Sequence, residues 1–212
     1  MRVYDGASAC FLLACGMNYC IAGLGNPGDE YAGTRHNTGR SAVLYFHQKH
    51  TFSDWKKDLK TNALVSKEKI GKHTVTLVLP DNFMNNSGKV LSGYITDAKK
   101  AERLIVIYDD IDLPIGNVKI SFDRGSGGHR GVESVIKRLR TRKFIRVRVG
   151  ISPSAAKGSV RKPTGEERVV KFLMSVFSSV EQKELKRSFG IVTGILDTIL
   201  AEGKDKAMCL FN

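Results

Sequence analysis

Polar residues able to do chemistry gather at three places in this 212-residue sequence, each directly after a short apolar run. After Tyr19–Leu24 (YCIAGL) come Asn26, Tyr31, Arg35, His36 and Asn37. After the apolar stretch closed by Pro80 come Phe83, Asn85 and Asn86, and after Leu104–Tyr108 (LIVIY) come Asp109, Asp110 and Asp112. A histidine oriented by an aspartate, without a serine or cysteine partner, suits general-base activation of water. The carboxylate would hold the imidazole tautomer and stabilise the imidazolium that forms. Asparagine carboxamides can donate to a developing oxyanion, or grip a peptide amide through their paired donor and acceptor. No G-x-S-x-G elbow occurs, since Gly125-Ser126-Gly127-Gly128 has the wrong spacing, and no HExxH is present.

Plainer readings stand beside these. His36 alone could be a surface or core histidine, and Asp109-Asp110 a turn after a strand. With Asp112 the acids resemble a divalent-cation set, but the spacing and distal Glu of a calcium loop are missing. Gly23, Gly25 and Gly28 imitate a dinucleotide fingerprint, although Pro27 and the lack of an immediate helix favour simple turn geometry. His47 and His50 read as solvated histidines, because a metal site would need a third ligand. His129 is either a structural residue of a glycine loop or part of the cleft, and Trp55 reads as a packing residue.

The elements that must position these residues follow from periodicity. Short apolar runs at Tyr19–Leu24, Ala63–Ser66, Thr74–Leu79, Leu104–Tyr108, Val118–Phe122 and Ile145–Ile151 read as strands. The unbroken Leu104–Tyr108 run marks a central strand covered on both faces. Helical spacing appears from Thr38 (Ala42, Val43, Phe46, His50), from a Ser87 cap (Val90, Leu91, Tyr94, Ile95), over Val132–Leu139 and over Leu185–Ile199. Residues 152–166 are rich in Ser, Pro and Lys and read as an exposed, mobile loop. The expectation is a single-domain α/β fold, a twisted, mostly parallel (mixed) sheet flanked by helices. In such sheets ligands bind outside the strand C-termini, so the three polar clusters should share one cleft.

Charge narrows the class. Lys and Arg total 34 against 21 acidic residues, and a formal charge of +13 attracts polyanions, with nucleic acid the commonest of these. The segment Lys137–Arg148 holds seven cations in twelve residues, either a solvated helix end with an edge strand or a phosphate track. Cys10, Cys15, Cys20 and Cys209 form no CxxC or Cys/His quartet, which fits reduced thiols in a cytoplasmic protein. Residues 1–16 are expected to be a non-native or disordered extension, with Met17 the start of the domain (17–212). Leu12–Cys15 imitates a lipoprotein box, but the apolar run is too short and Asp5 interrupts it. No stretch approaches the ~18 apolar residues of a membrane span.

Four motifs together resemble the bacterial-type peptidyl-tRNA hydrolases. They are Gly23-Leu24-Gly25-Asn26-Pro27-Gly28 with Tyr31 and Thr34-Arg35-His36-Asn37-x-Gly39; Phe83-Met84-Asn85-x-Ser87-Gly88; Asp109-Asp110-x-Asp112-Leu113-Pro114-x-Gly116; and Gly125-Ser126-Gly127-Gly128-His129-x-Gly131. They occur in family order and spacing, and the match is close from Asn18 to about Ile151; the tail matches only in helical character. The resemblance implies hydrolysis of the ester between peptide and tRNA, with His36 as base, Asp109 as its orienting partner, Asn26 reading the acylated amino group and Asn85 near the scissile ester. Tyr31 and Phe83 would line the tRNA-end and peptide site, and Lys119 and Arg148 fall where the family places RNA contacts. It implies no metal or organic cofactor, and peptidyl-tRNA (acceptor arm and peptide) as partner; a monomer is expected. After Gly-Gly-His the family commonly has Asn, whereas this chain has Arg130, a pure donor that could keep a phosphate contact but no contact needing an acceptor.

Two rivals remain at this point: an inactive RNA-binding relative, which would not need the intact set Asn26, His36, Asn85 and Asp109, and an unrelated small-ester hydrolase, which the strong positive charge disfavours.

Overall fold

The computed structural model describes residues 16–154 and 160–212. The extension expected over residues 1–16 therefore lies outside the described residues except for Gly16, as does the centre (155–159) of the loop expected over 152–166.

Strands β1 (Asn18–Gly23), β2 (Lys56–Asp58), β3 (Ala63–Ile70), β4 (His73–Pro80), β5 (Leu104–Pro114), β6 (Val118–Phe122) and β7 (Ile145–Ser152) form one sheet. Its order is β2-β3-β4-β1-β5-β7-β6. The central strands β4, β1, β5 and β7 run parallel, while β2, β3 and β6 add antiparallel edges. This is the mixed, mostly parallel α/β sheet that the sequence implies. Helices follow as α1 (Thr38–Lys49), α2 (Ser87–Leu91), α3 (Ala98–Ala101), α4 (Arg130–Leu139), α5 (Glu166–Leu173), α6 (Ser179–Glu202) and α7 (Lys204–Phe211). Among the described residues, no helix is long and apolar enough to cross a membrane.

Alternation along the strands feeds two cores. Ile21, Leu77, Ile107 and Val147 pack with Phe46 of α1 and Leu196 of α6. Ala22, Val78 and Val106 face the other way, onto Val90 of α2 and Val132 of α4. Parallel strands covered on both sides need apolar residues at every position, which explains the unbroken LIVIY run.

Several boundaries differ from the sequence reading. Strand β5 does not stop before the acids; it carries Asp109 and Asp110 as sheet residues and shifts register only between Asp110 and Pro114. Ser87 is not a helix cap but the first residue of α2, its hydroxyl donating to Met84 O at 2.7 Å. That helix ends at Leu91, so Tyr94 and Ile95 lie beyond it. Helices α3, α5 and α7 and the short β2 went unanticipated. Helix α6 begins with a capping box between Ser178 and Glu181.

One glycine controls how the first helix sits. A Cβ at Gly39 would lie 2.2 Å from Ile107 O and 2.8 Å from Leu24 O, so only glycine lets the first turn of α1 touch the backbone of β5 and of the chain after β1. That contact brings the residues just before α1 against the polar end of β5.

Candidate active site

The chain between β1 and α1 is closed on itself by side chains. Asn37 Oδ1 accepts the Asn26 N–H at 2.7 Å, and Asn37 Nδ2 donates to Asn26 O at 3.0 Å. Arg35 ties the same segment to the C-terminal half of the fold. Its guanidinium donates to both Glu181 carboxylate oxygens at 2.9 Å, to Ile151 O at 2.9 Å and to Ser175 Oγ at 3.1 Å. Phe172 and Phe177 sandwich it at 4.6 and 4.5 Å. A buried cation this fully paired is costly to disturb. Sequence alone places Arg35 and Asn37 in the first polar cluster without a role for either; the available signal was the run of four polar residues Thr34–Asn37 before a helix.

Between these anchors His36 reaches Asp109, with Nδ1 at 2.9 Å from Oδ2 and 3.1 Å from Oδ1. Asp109 is buried and is shared: His129 Nε2 lies 3.1 Å from its Oδ1. His129 is also the N-cap of α4, its Nδ1 accepting the Val132 N–H at 3.2 Å. That bond assigns the tautomers. A neutral ring accepting at Nδ1 carries its proton on Nε2, so His129 donates to Asp109. An ionised Asp109 only accepts, so His36 also donates, from Nδ1. Its Nε2, on the far edge of the ring, is left as a free acceptor.

Burial works against the Asp109 charge, yet the two imidazoles outweigh it and hold the carboxyl well below the usual carboxylate range. At His36, burial again disfavours charge, but the carboxylate beside it prevails and raises the imidazole pKa, opposed more weakly by Arg130. His36 is thus a base strengthened by Asp109.

His36, Asp109 and His129 also bring three ligand-type atoms within 4.8 Å of one another. The Val132 N–H on His129 argues against a cation there, since a metal-binding nitrogen must be unprotonated. With Nε2 on a metal, the neutral ring would have to carry its proton on Nδ1, where the Val132 N–H already points.

The three residues open onto a cleft of about 1060 Å³ at the C-terminal ends of the parallel strands, as the sheet rule requires. Asn26, Asn85 and Phe83 line it too. Asn26 Oδ1 accepts the Met84 N–H at 2.8 Å, which leaves its amino group as the part free for a ligand. Asn85 is exposed, and its side chain has no hydrogen-bond partner among the described residues. Tyr31 does not line the cleft but packs edge-on against Phe83 at 6.3 Å, forming an aromatic rim.

The expected RNA-contact residues reach the same cleft already engaged. Arg148 Nε donates to Asp110 Oδ2 at 2.6 Å, and Lys119 Nζ approaches Asn212 O at 3.4 Å. Arg130 pairs with Glu166 of α5 across the mouth, both side chains mostly exposed. Helix α5 itself forms one wall, through Val169, Val170 and Leu173. Arg146 departs furthest from the surface phosphate track, because it is fully buried.

The family model described as peptidyl-tRNA hydrolase matches residues 20–212. A peptidyl-tRNA hydrolase from Herpetosiphon aurantiacus is 36% identical over 197 residues, covering 92% of this chain and 90% of that protein. One from Aquifex aeolicus is 38% identical over 172 residues, covering 79% and 82%. The crystal structure of peptidyl-tRNA hydrolase from Acinetobacter baumannii superposes with a TM-score of 0.81 at 27% identity, covering 92% of this chain and 94% of that one.

Proposed function

The chain belongs to the peptidyl-tRNA hydrolase family, and on that premise we propose that His36 is the base for its reaction, hydrolysis of the ester that joins a peptide to tRNA. The observation that carries this reading is the bonding of His36: its only partner among the described residues is Asp109, and no hydroxyl or thiol is bonded to it. A base so placed, with Nε2 free in a cleft, activates water rather than a side-chain nucleophile.

His36 Nε2 takes a proton from water, and the resulting hydroxide attacks the ester carbonyl carbon. Asp109 stabilises the imidazolium. The exposed carboxamide of Asn85 is free to donate to the oxyanion. Collapse breaks the bond to the tRNA ribose oxygen, which takes the proton back from His36. The products are tRNA and the peptide carboxylic acid, which gives its proton to solvent and leaves as the carboxylate. An inactive RNA-binding relative would have no use for a buried carboxylate that strengthens a base.

Asn26 reads the amino end of the esterified residue. With Oδ1 committed to Met84, it offers substrate only N–H donors. A donor suits the carbonyl of an acylated amino group and is unfavourable towards a free ammonium, which also only donates. Release of tRNA from N-acetylated aminoacyl-tRNA should accordingly be fast, and from the unblocked form slow. Asn26→Asp should narrow that ratio by roughly tenfold or more, since a carboxylate attracts the ammonium and loses a donor worth about 1–3 kcal/mol. An unchanged ratio would move substrate reading to another residue, and failure to cleave either substrate would remove the activity.

Arg130 acts as a phosphate contact that the substrate wins from Glu166, and the exchange is inexpensive because exposed ion pairs contribute little. Arg130→Asn should reduce the log–log salt slope of tRNA binding by about 0.7–0.9. It should also shift the acid limb of kcat/KM upward in pH: removing a cation near His36 raises the imidazole pKa, so more base is protonated at a given pH. Wild-type slope and profile together would show that Arg130 meets only solvent and Glu166.

A further inference from the structure

Arg146 is the largest fully buried side chain among the described residues, and the bonding described above leaves it unused. Among the described residues its close hydrogen-bond acceptors are main-chain carbonyls, with the Tyr108 hydroxyl near enough to favour its charge. Nη1 donates to Gly125 O at 2.6 Å, and Nη2 donates to Arg124 O and, at 3.4 Å, to Arg142 O. Its face lies 4.6 Å from the Phe144 ring, and Nε has no partner among the described residues. Asp123, close by, faces Arg142 at 3.6 Å instead. A buried guanidinium without a hydrogen-bonded carboxylate is costly, and a fold that keeps one gains something from its position.

What it positions follows from peptide geometry. No peptide bond among the described residues is cis, so each N–H points opposite the carbonyl that precedes it. Arg124 O and Gly125 O both point inward onto Arg146. The N–H groups of Gly125 and Ser126 therefore point outward, and neither has a hydrogen-bond partner among the described residues. Residues 124–128 line the same cleft as His36, and Gly125 is exposed. Two adjacent outward N–H groups over a buried cation, in a segment that lines the cleft together with Arg124, can donate to one anion.

We propose that Arg146 is a positioning residue that turns the Gly125 and Ser126 N–H groups into the cleft as a subsite for a phosphodiester of the tRNA strand. This rests on tRNA being the substrate. The backbone donors read a phosphate without reading a base, which suits an enzyme that must accept every tRNA.

The test is an amide-resolved NMR titration of the full-length ¹⁵N-labelled protein with the dinucleoside phosphodiester CpA, with cytidine as the phosphate-free control. The Gly125 and Ser126 amides should shift saturably with CpA and not with cytidine. Arg146→Gln should weaken that response and raise KM for peptidyl-tRNA by roughly tenfold, with kcat little changed. Arg146→Lys keeps the charge but cannot span the carbonyls, so it should not restore wild-type KM; full rescue by lysine would overturn the positioning role. If neither variant folds, the wild-type titration still decides. CpA shifts that saturate near Lys119 and Arg148 while Gly125 and Ser126 stay unmoved would overturn the subsite and leave tRNA hydrolysis standing. Absence of both CpA binding and turnover would overturn both.

Discussion

His36→Ala is expected to lower kcat by about 10²–10⁴-fold, the usual cost of removing a positioned general base, while tRNA binding changes little. The structure explains why the two effects should separate. In the variant Asp109 keeps its bond from His129, so no buried carboxylate is orphaned. Asn37 and Arg35 still hold the segment from both sides of the substituted position. Single-turnover cleavage of N-acetylated aminoacyl-tRNA, run beside a filter-binding measurement, reads both quantities. Full turnover would take His36 out of the mechanism, and joint loss of turnover and binding would recast it as a structural residue.

Asp109→Asn should be nearly as damaging, by a route that depends on His129. The carboxylate accepts from two histidines, whereas a carboxamide offers one acceptor and one donor. His129 cannot adapt, because the Val132 N–H fixes its proton on Nε2. It claims the carboxamide oxygen, and the amino group then faces His36 Nδ1. His36 must move its proton to Nε2, the atom that should accept from water. The same wrong-tautomer defect in a serine-protease triad costs about 10⁴-fold. The pH dependence provides a second readout. Asp109 raises the His36 pKa, so its neutralisation lowers that pKa, and the acid limb of the residual kcat/KM profile moves to lower pH. Arg130→Asn moves it the other way. An unmoved acid limb in Asp109→Asn would mean that the titrating base is not His36.

The sequence made the middle of the sheet legible because parallel, doubly covered strands write themselves as unbroken apolar runs, of which Leu104–Tyr108 is the plainest. The same logic concealed the continuation of β5, because Asp109 and Asp110 look like a turn when their partners are unknown. Those partners, His36 and Arg148, come from distant segments. Helix α5 was missed for another reason. It is only eight residues long with none of them buried, and its one apolar face, Val169, Val170, Phe172 and Leu173, is too short to stand out behind a Ser/Pro/Lys-rich segment. The site residues assigned by resemblance mostly meet in one cleft, but their bonding was not readable. Nothing in a string of letters says that Asn26 spends its oxygen on Met84 or that Arg130 faces Glu166.

Arg146 is the instructive failure. It stands in a strongly basic stretch, where composition suggests a solvated face. Strand alternation puts Arg146 and Arg148 on one side of β7, opposite Val106 and Tyr108 of β5. What lies over that side then decides their fates: the loop at 124–128 covers the first, while the second remains partly open and meets Asp110.

The Gly39 contact has a bearing on how this enzyme can change over time. Because the first turn of α1 rests on the carbonyls of Ile107 and Leu24, the reach from His36 to Asp109 is gauged by main-chain dimensions instead of side-chain volumes. Exchanges among Val, Ile and Leu in either core alter melting temperature without resetting that gauge. A methyl group at position 39, by contrast, would push helix and strand apart and lengthen the reach. Drift in the interior and loss of the reaction are thereby decoupled, with a single hydrogen atom at Gly39 marking the boundary between them.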